Sequence, residues 1–285
     1  MFRKKEFRIA ESANVRLVKN TISVVLVVYT FITLFLFGNT ILSSFKGKQE
    51  LINNTIGFPK HFTLENYRIL LVEKGFLRYF FNSFFLVFLS LFLLLLVASM
   101  AAYGLSSFKF RGNGLLQTYF LIGLMFPIQL GILPLFIMLT RLNLNNTIHG
   151  LALLYAANMS FPLLVFSKFF RGIPTSLSES ARIDGAGDFR VFISIIIPMS
   201  KPVLFTMGLI NFVTIWNDFY MPLVFLTKNS VRTLTLAVYT FMANFLANWH
   251  LVFAAVVIAL LPVIIVFFRF SDQIVSGLTG GAIKE

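Results

Sequence analysis

The sequence predicts an all-α, multi-pass membrane protein with six spans, and three observations carry that prediction. Of its 285 residues, 58% are hydrophobic and only 12% are charged, against roughly 45–50% and 25% in soluble domains. Six nearly uncharged stretches each come close to the roughly 20 residues that a helix needs to cross a hydrocarbon core of about 30 Å. No succession of short alternating strands is visible, so a closed barrel is not available. Backbone groups in lipid can then pair only within helices.

The stretches follow in order. Thr21 to Leu42 comes after a basic segment that resembles the start of a signal peptide. It is longer than a usual signal-peptide apolar region and no A-x-A cleavage site follows, so it reads as a retained first span. Tyr79 to Ser106, Leu115 to Thr140 and Pro202 to Leu226 are long enough to tilt or to run past the interface. His149 to Ser167 and Leu251 to Phe268 complete the set. Pro127, Pro134 and Pro162 read as helix kinks. The organisation is a segment 1–20, one membrane domain over 21–270 with a polar loop at 168–201, and a tail over 271–285. A second polar loop runs from Ser43 to Arg78.

An even number of spans places both termini on one side, and Lys/Arg excess in short loops marks the cytoplasmic side. The chain has 24 Lys and Arg against 11 Asp and Glu, a net charge of +13. These basic residues are spread between apolar stretches rather than gathered in one patch, which points to membrane topology and not to nucleic acid. With the N-terminus inside, 15 basic residues are cytoplasmic and nine lie outside, six of those nine in the loop Ser43 to Arg78. The absence of Cys excludes a disulfide framework, a thiolate metal site and a cysteine nucleophile.

The loop between spans four and five carries its own helix signals. Ser176-Leu177-Ser178-Glu179 has the form of a capping box, which predicts a helix from Leu177 for about two turns. Gly185 then supplies a left-handed residue to end it, and Asp188 is placed to cap a second short helix through Phe189, Phe192 and Ile195. On the first helix Ala181 is a small residue beside Glu179, Arg182 and Asp184, a surface suited to close approach by another protein.

Glu179-Ser180-Ala181, three residues, Gly185, nine residues and Ile195-Ile196-Ile197-Pro198 together resemble the EAA motif of ATP-binding cassette importer permeases. The family pattern has Ala at the position of Ser180 and Leu at that of Ile197, while the spacing is unchanged. Other segments resemble the same carbohydrate permeases of the maltose-transporter type, in particular their smaller, second permease. These are the stretch FPKHFTLENY from Phe58, Phe81-Asn82-Ser83, Ala181 to Ala186, Trp216-Asn217-Asp218-Phe219 and Ser276 to Lys284.

The resemblance implies a type I importer permease fold and a cytoplasmic coupling helix that docks in a groove of an ATPase subunit. In that role Glu179, Ser180, Ala181, Arg182, Asp184, Gly185, Ala186 and Pro198 would form the contact. It also implies a homologous second permease, an ATPase dimer holding ATP and Mg, and an extracytoplasmic sugar-binding protein. The location implied is a bacterial or archaeal inner membrane with both termini cytoplasmic and lipid around the spans. In the same family the C-terminal end reaches the interface between the ATPases. No P-loop is present here, the only Gly-Lys pair being Gly47-Lys48 followed by Gln49, so ATP hydrolysis belongs to another chain. No catalytic residue and no cofactor are expected in this one.

Polar residues at membrane depth mark a candidate pathway. Asn211 lies about 14 Å into the fifth span, Gln129 about 21 Å along the third, and Asn158 and Ser90 are near mid-depth. Amide and hydroxyl groups suit a hydroxyl-rich ligand, although interhelical packing can also use them. Asp218, the one acid inside a proposed span, sits about 24 Å along the fifth span. There, beside Trp216, Asn217 and Tyr220, it reads as structural or gating. His61, His149 and His250 lack ligand spacing, so no metal site is expected. Two other functional classes remain: an ion-driven secondary transporter, which usually shows repeat halves with interrupted helices, and a membrane scaffold, which needs no polar set at the midplane.

Overall fold

The computed structural model describes residues 13–243 and 248–279, and every regular element among them is helical. In chain order these are α1 (Ala13–Ser44), α2 (Lys48–Asn53), α3 (Glu65–Arg68), α4 (Phe76–Ser107) and α5 (Asn113–Met125). Then come α6 (Ile132–Arg141), α7 (Ile148–Ala157), α8 (Ser160–Arg171), α9 (Thr175–Ile183) and α10 (Asp188–Val191). The chain continues with α11 (Ile197–Met199), α12 (Lys201–Asn217), α13 (Tyr220–Phe225), α14 (Leu234–Ala243) and α15 (Trp249–Thr279). The segment expected as a separate unit over 1–20 is already helical from Ala13 and continuous with the first span; residues 1–12 lie outside the described residues. The tail expected from 271 continues α15 to Thr279, and its last six residues lie outside the described residues.

Leu17–Ser44, Phe76–Ser107 and Trp249–Ser271 are each long and apolar enough to cross a membrane unbroken. Spans three and four are broken. Asn113–Met125 and Ile128–Arg141 meet at 91°, and α7 and α8 at 49°. At the first break Phe126 precedes Pro127 and takes the extended conformation (φ −92°, ψ 115°) that a following proline imposes, which ends α5. Pro134 and Pro162 do not kink their helices as the sequence suggests. Each sits in the first turn of its helix, α6 and α8, where a missing N–H removes no hydrogen bond. The fifth span is not continuous to Leu226. It stops at Asn217 and resumes as α13, and a 75° bend separates Lys201–Asn217 from the preceding Asp188–Met199.

Three apolar clusters are strung along α4, which packs on α7, α8, α12 and α14. One cluster joins Phe76, Val87 and Trp216 to Leu234, Ala237 and Ala254; another joins Leu86 to Leu139, Leu151 and Phe225. The third lies at the opposite end of α4, where Ala98, Ala102 and Tyr103 meet Phe166, Phe170, Val191 and Phe192. In contrast, the apolar side chains of α1 from Leu17 to Phe37 are exposed on this chain. The segment α14 has no counterpart among the expected spans. Its 10 residues reach only about 15 Å, too short to cross, yet Leu234, Leu236, Ala237 and Val238 are buried.

The loop after α1 folds on itself. Asn66 donates to the carbonyls of Ser44 (2.8 Å) and Lys46 (2.9 Å), the Tyr67 and Ser44 hydroxyls are 2.6 Å apart, and Phe45 stacks on Phe62 at 4.4 Å. The backbone N–H groups of Lys60 and His61 donate to the Glu50 carboxylate, and the Lys60 bond chiefly holds that carboxyl below the usual range. The stretch FPKHFTLENY is therefore the part of the sequence that shapes this loop.

Candidate functional site

At the α9 end, a short helix, a tight turn and a second helix project from the bundle. The first helix begins at Thr175, earlier than Leu177, and Ser176 is not its cap. Pro174 holds the N-cap position, and its carbonyl accepts from the Leu177 N–H at 3.3 Å. A proline at a helix start costs no hydrogen bond, and Ile-Pro-Thr is the signal that the capping-box reading passes over.

The end of the helix is as the sequence predicts. Gly185 has φ +83°, its N–H donates to the Arg182 carbonyl at 3.0 Å, and the Ala186 N–H donates to the Ala181 carbonyl at 2.9 Å. This pair of bonds is the Schellman arrangement, which turns the chain sharply and satisfies carbonyls that the helix leaves open. A side chain at Gly185 would meet no atom within 4 Å, so glycine is required there by backbone conformation and not by space.

Asp188 is the first residue of α10, with Gly187 in the cap position. Its carboxylate accepts from Arg182 Nε at 3.1 Å and from a terminal guanidinium nitrogen at 2.9 Å, closing the turn between α9 and α10. The same bond raises the pKa of the guanidinium. Arg182 is thus engaged within the loop, while Glu179, Ser180, Asp184, Gly185 and Pro198 stand exposed. Ala181 differs from the expectation of an outward contact. It is half-buried and packs with Ala186 on the cluster of Val191 and Phe192. The surface instead offers Ile183 and Phe189, 86% and 68% exposed. The sequence reading missed both because they sit among charges rather than in an apolar pattern.

The opposite half of the bundle is tied together around the break in the fifth span. Trp216 is 2% exposed and donates from Nε1 to the Ala259 carbonyl of α15 at 3.0 Å. Its own carbonyl, left open where α12 ends, accepts from the Thr235 hydroxyl at 2.7 Å. One Asp218 oxygen accepts from the Tyr155 hydroxyl at 2.8 Å. The other accepts from the backbone N–H groups of Tyr220 (2.8 Å) and Met221 (3.3 Å), which are open donors at the start of α13. Asn217 is exposed and donates to the Val213 carbonyl, while Phe219 stacks on Tyr239 at 4.5 Å.

Neighbouring loops are held in the same way. Asn82 donates to the carbonyls of Ser230 (3.0 Å) and Arg232 (2.9 Å), and the Ser83 hydroxyl accepts from the Leu234 N–H at 2.8 Å. Asn146, at φ 58°, accepts through Oδ1 from the Thr227 N–H (2.7 Å), the Thr227 hydroxyl (2.7 Å) and the Lys228 N–H (3.0 Å). Tyr155, Thr235 and Asn146 were not singled out from sequence, since their partners lie far along the chain.

The four mid-depth polar residues separate into two kinds. Ser90 is fully buried and donates to the Leu86 carbonyl of its own helix at 2.6 Å, and half-buried Asn211 donates to the Met207 carbonyl at 2.8 Å. Gln129 and Asn158 are exposed and occupy the breaks of spans three and four, in the turn Ile128–Gly131 and at the end of α7. Among the described residues no cluster of His and acids is arranged to hold a metal ion.

Comparison with known proteins agrees with this architecture. Residues 73–280 match the model of the family described as binding-protein-dependent transport system inner membrane component. The diacetylchitobiose uptake system permease protein NgcG of Streptomyces coelicolor is 34% identical, over 86% of this chain and 82% of that protein. The arabinooligosaccharides transport system permease protein AraQ of Halalkalibacterium halodurans is 32% identical, over 89% and 92%. A chain in the crystal structure of a bacterial ABC transporter involved in the import of the acidic polysaccharide alginate superposes with a TM-score of 0.82 at 22% identity, over 92% of this chain and 98% of that one. With a family model spanning most of its length and full-length relatives above 30% identity, this chain belongs to the inner-membrane components of binding-protein-dependent transport systems, the permeases of ATP-binding cassette importers.

Proposed function

We propose that the chain is the six-span translocation subunit of an importer for an oligosaccharide or related sugar compound delivered by an extracytoplasmic binding protein. The loop from Lys168 to Lys201 is its coupling loop. In this reading both termini and the α9 end face the cytoplasm, a homologous second permease completes the pore, and a separate ATPase dimer binds ATP and Mg. The observation that carries it is the exposed hook at Gly185, closed internally by Arg182 and Asp188 and offering Glu179, Ile183 and Phe189 outward. Apolar side chains this exposed, on a polar loop outside the spans, are suited to burial in a partner's groove. Named relatives that transport diacetylchitobiose and arabinooligosaccharides support the sugar class.

The hook moves with the ATPases as they close on ATP, and the rigid turn passes that motion to α8 and α12. Gln129 and Asn158, exposed at helix breaks, are the pathway residues best placed to meet hydroxyl groups, and half-buried Asn211 in the fifth span is the third candidate. Ser90 is spent on packing. Trp216, Asn217 and Asp218 fix the break in the fifth span. Purification of the native complex, with Ile183→Cys for labelling, tests the reading. ATPase, second permease and binding protein should co-purify. An impermeant thiol reagent should reach the introduced thiol from the cytoplasmic side only, and the ATPase should protect it. Ion-driven transport by the isolated chain, or labelling from outside, would overturn it.

A further inference from the structure

A groove of about 910 Å³ lies between α4, α12 and α15, with almost wholly apolar walls that include Leu95, Phe205, Phe212 and Phe270. It is open along one side and is lined at one end by Lys201. Arg269 stands at the same end, its guanidinium carbon 5.4 Å from the centre of the Phe270 ring, and that ring packs edge-on against Phe205 at 4.8 Å. Lys201 and Arg269 are both exposed, and neither forms an ion pair among the described residues. From Lys201 to Phe212 the α12 wall runs about 17 Å, just over half of a hydrocarbon core of about 30 Å. The groove therefore has the reach of one leaflet's acyl chain, with two positive charges at the interfacial end that pair with no acid among the described residues.

We propose that this groove binds an anionic phospholipid, one acyl chain lying between α4, α12 and α15 and the headgroup phosphate held by Lys201 and Arg269. Two features set the class of occupant. Almost wholly apolar walls offer a free sugar or nucleotide few hydrogen-bond partners, and paired basic groups at one end favour an anionic headgroup over a zwitterionic one. The orientation proposed above makes this the cytoplasmic leaflet, where anionic lipids act on such residues. Because α12 forms one wall of the groove and also carries the bend into the coupling loop, a lipid seated here would brace the helix that the loop moves.

The test uses the assembled complex in nanodiscs containing a phosphatidylglycerol with a photoreactive group near the end of one acyl chain, compared with the same probe on phosphatidylcholine. The phosphatidylglycerol probe should label peptides that contain Leu95 or Phe212 several-fold more strongly than the phosphatidylcholine probe. Removing the charges with Lys201→Gln and Arg269→Gln should lower that labelling by about fivefold per residue, equivalent to about 1 kcal/mol each. Gly208→Leu should reduce labelling by both probes, since Gly208 lines the groove and Leu95 lies 3.5 Å from where its Cβ would sit. Equal labelling by the two headgroups, or labelling indifferent to the charge removal, would overturn the proposal and leave the importer reading intact. So would absence of labelling together with a disulfide between Phe205→Cys and a helix of the second permease, which would make the groove a protein interface.

Discussion

The two ends of this bundle are held together by different means. At the break of the fifth span, buried Trp216 and half-buried Asp218 make hydrogen bonds to α7, α14 and α15, and Asn82, Ser83 and Asn146 fasten the adjoining loops. At the α9 end the loop's polar bracing lies within itself, in the turn at Gly185 and the pair Arg182–Asp188; Val191 and Phe192 anchor it on α4, while Glu179, Ile183, Asp184 and Phe189 face outward. One end ties its helices together inside the chain, while the other leaves apolar and charged side chains exposed. Substitutions at the first should therefore act on stability, and substitutions at the second on coupling with little change in stability.

The largest effect on stability is expected at Trp216. Replacing a large, 2% exposed aromatic with alanine leaves a cavity, and such changes cost about 3–5 kcal/mol. Trp216→Ala also removes the donor to the Ala259 carbonyl. Thermal unfolding of the purified complex in detergent should show a clear fall in midpoint. An unchanged midpoint would mean that the knot around the fifth span does not hold the fold.

Asp218→Ala comes next. It deprives the part-buried Tyr155 hydroxyl and two backbone N–H groups at the start of α13 of their acceptor, and loss of such a helix cap costs about 0.5–2 kcal/mol. Asp218→Asn keeps one carbonyl oxygen and should recover part of the loss. If the Asn variant unfolds like the unsubstituted protein, the carboxylate's contact with Tyr155 contributes little and the capping role alone remains. Either variant that still assembles should keep ATP hydrolysis and transport linked, because the hook is untouched.

Much of this contrast can be read from the sequence, but unevenly. The membrane spans and the turn at Gly185 are legible because they depend on local signals, a long apolar run in one case and a glycine after two helical turns in the other. The break after Asn217 is less visible. Apolar residues continue to Leu226, and only the carboxylate of Asp218 hints that new backbone donors appear there. α14 is missed since a largely apolar stretch of 10 residues falls short of a span and its burial depends on α4 and α15. The inward packing of Ala181 and the engagement of Arg182 by Asp188 depend on how two short helices fold back on each other, which spacing along the chain does not specify.

Gly185→Asp sharpens the comparison from the other side. Holding a residue other than glycine at φ +83° costs about 1–3 kcal/mol, and asparagine or aspartate stands at the lower end of that range. Insertion and assembly should persist while transport falls away and ATPase activity no longer responds to loaded binding protein. Glu179→Lys, which reverses an exposed charge without touching the backbone, should act in the same direction with no measurable loss of stability. Transport and stimulated hydrolysis at normal levels in both variants would show that the hook is not the coupling element.

Among the changes that break a contact within the chain, the smallest effect on stability should come from the ion pair itself. Arg182 and Asp188 are about half exposed, with side-chain exposures of 41% and 52%, and such pairs are worth about 0.2–1 kcal/mol. Arg182→Asp or Asp188→Arg alone places like charges across the turn, so α9 and α10 should lose their fixed angle although the spans remain folded. The unfolding midpoint should barely move, while transport per ATP hydrolysed drops. Combining Arg182→Asp with Asp188→Arg restores opposite charges in reversed order and should recover much of the coupling if the pair serves to brace the hook. If instead Arg182 acts on the ATPase directly, the double variant will stay as uncoupled as the Arg182 single variant, so the rescue separates an internal brace from an external contact.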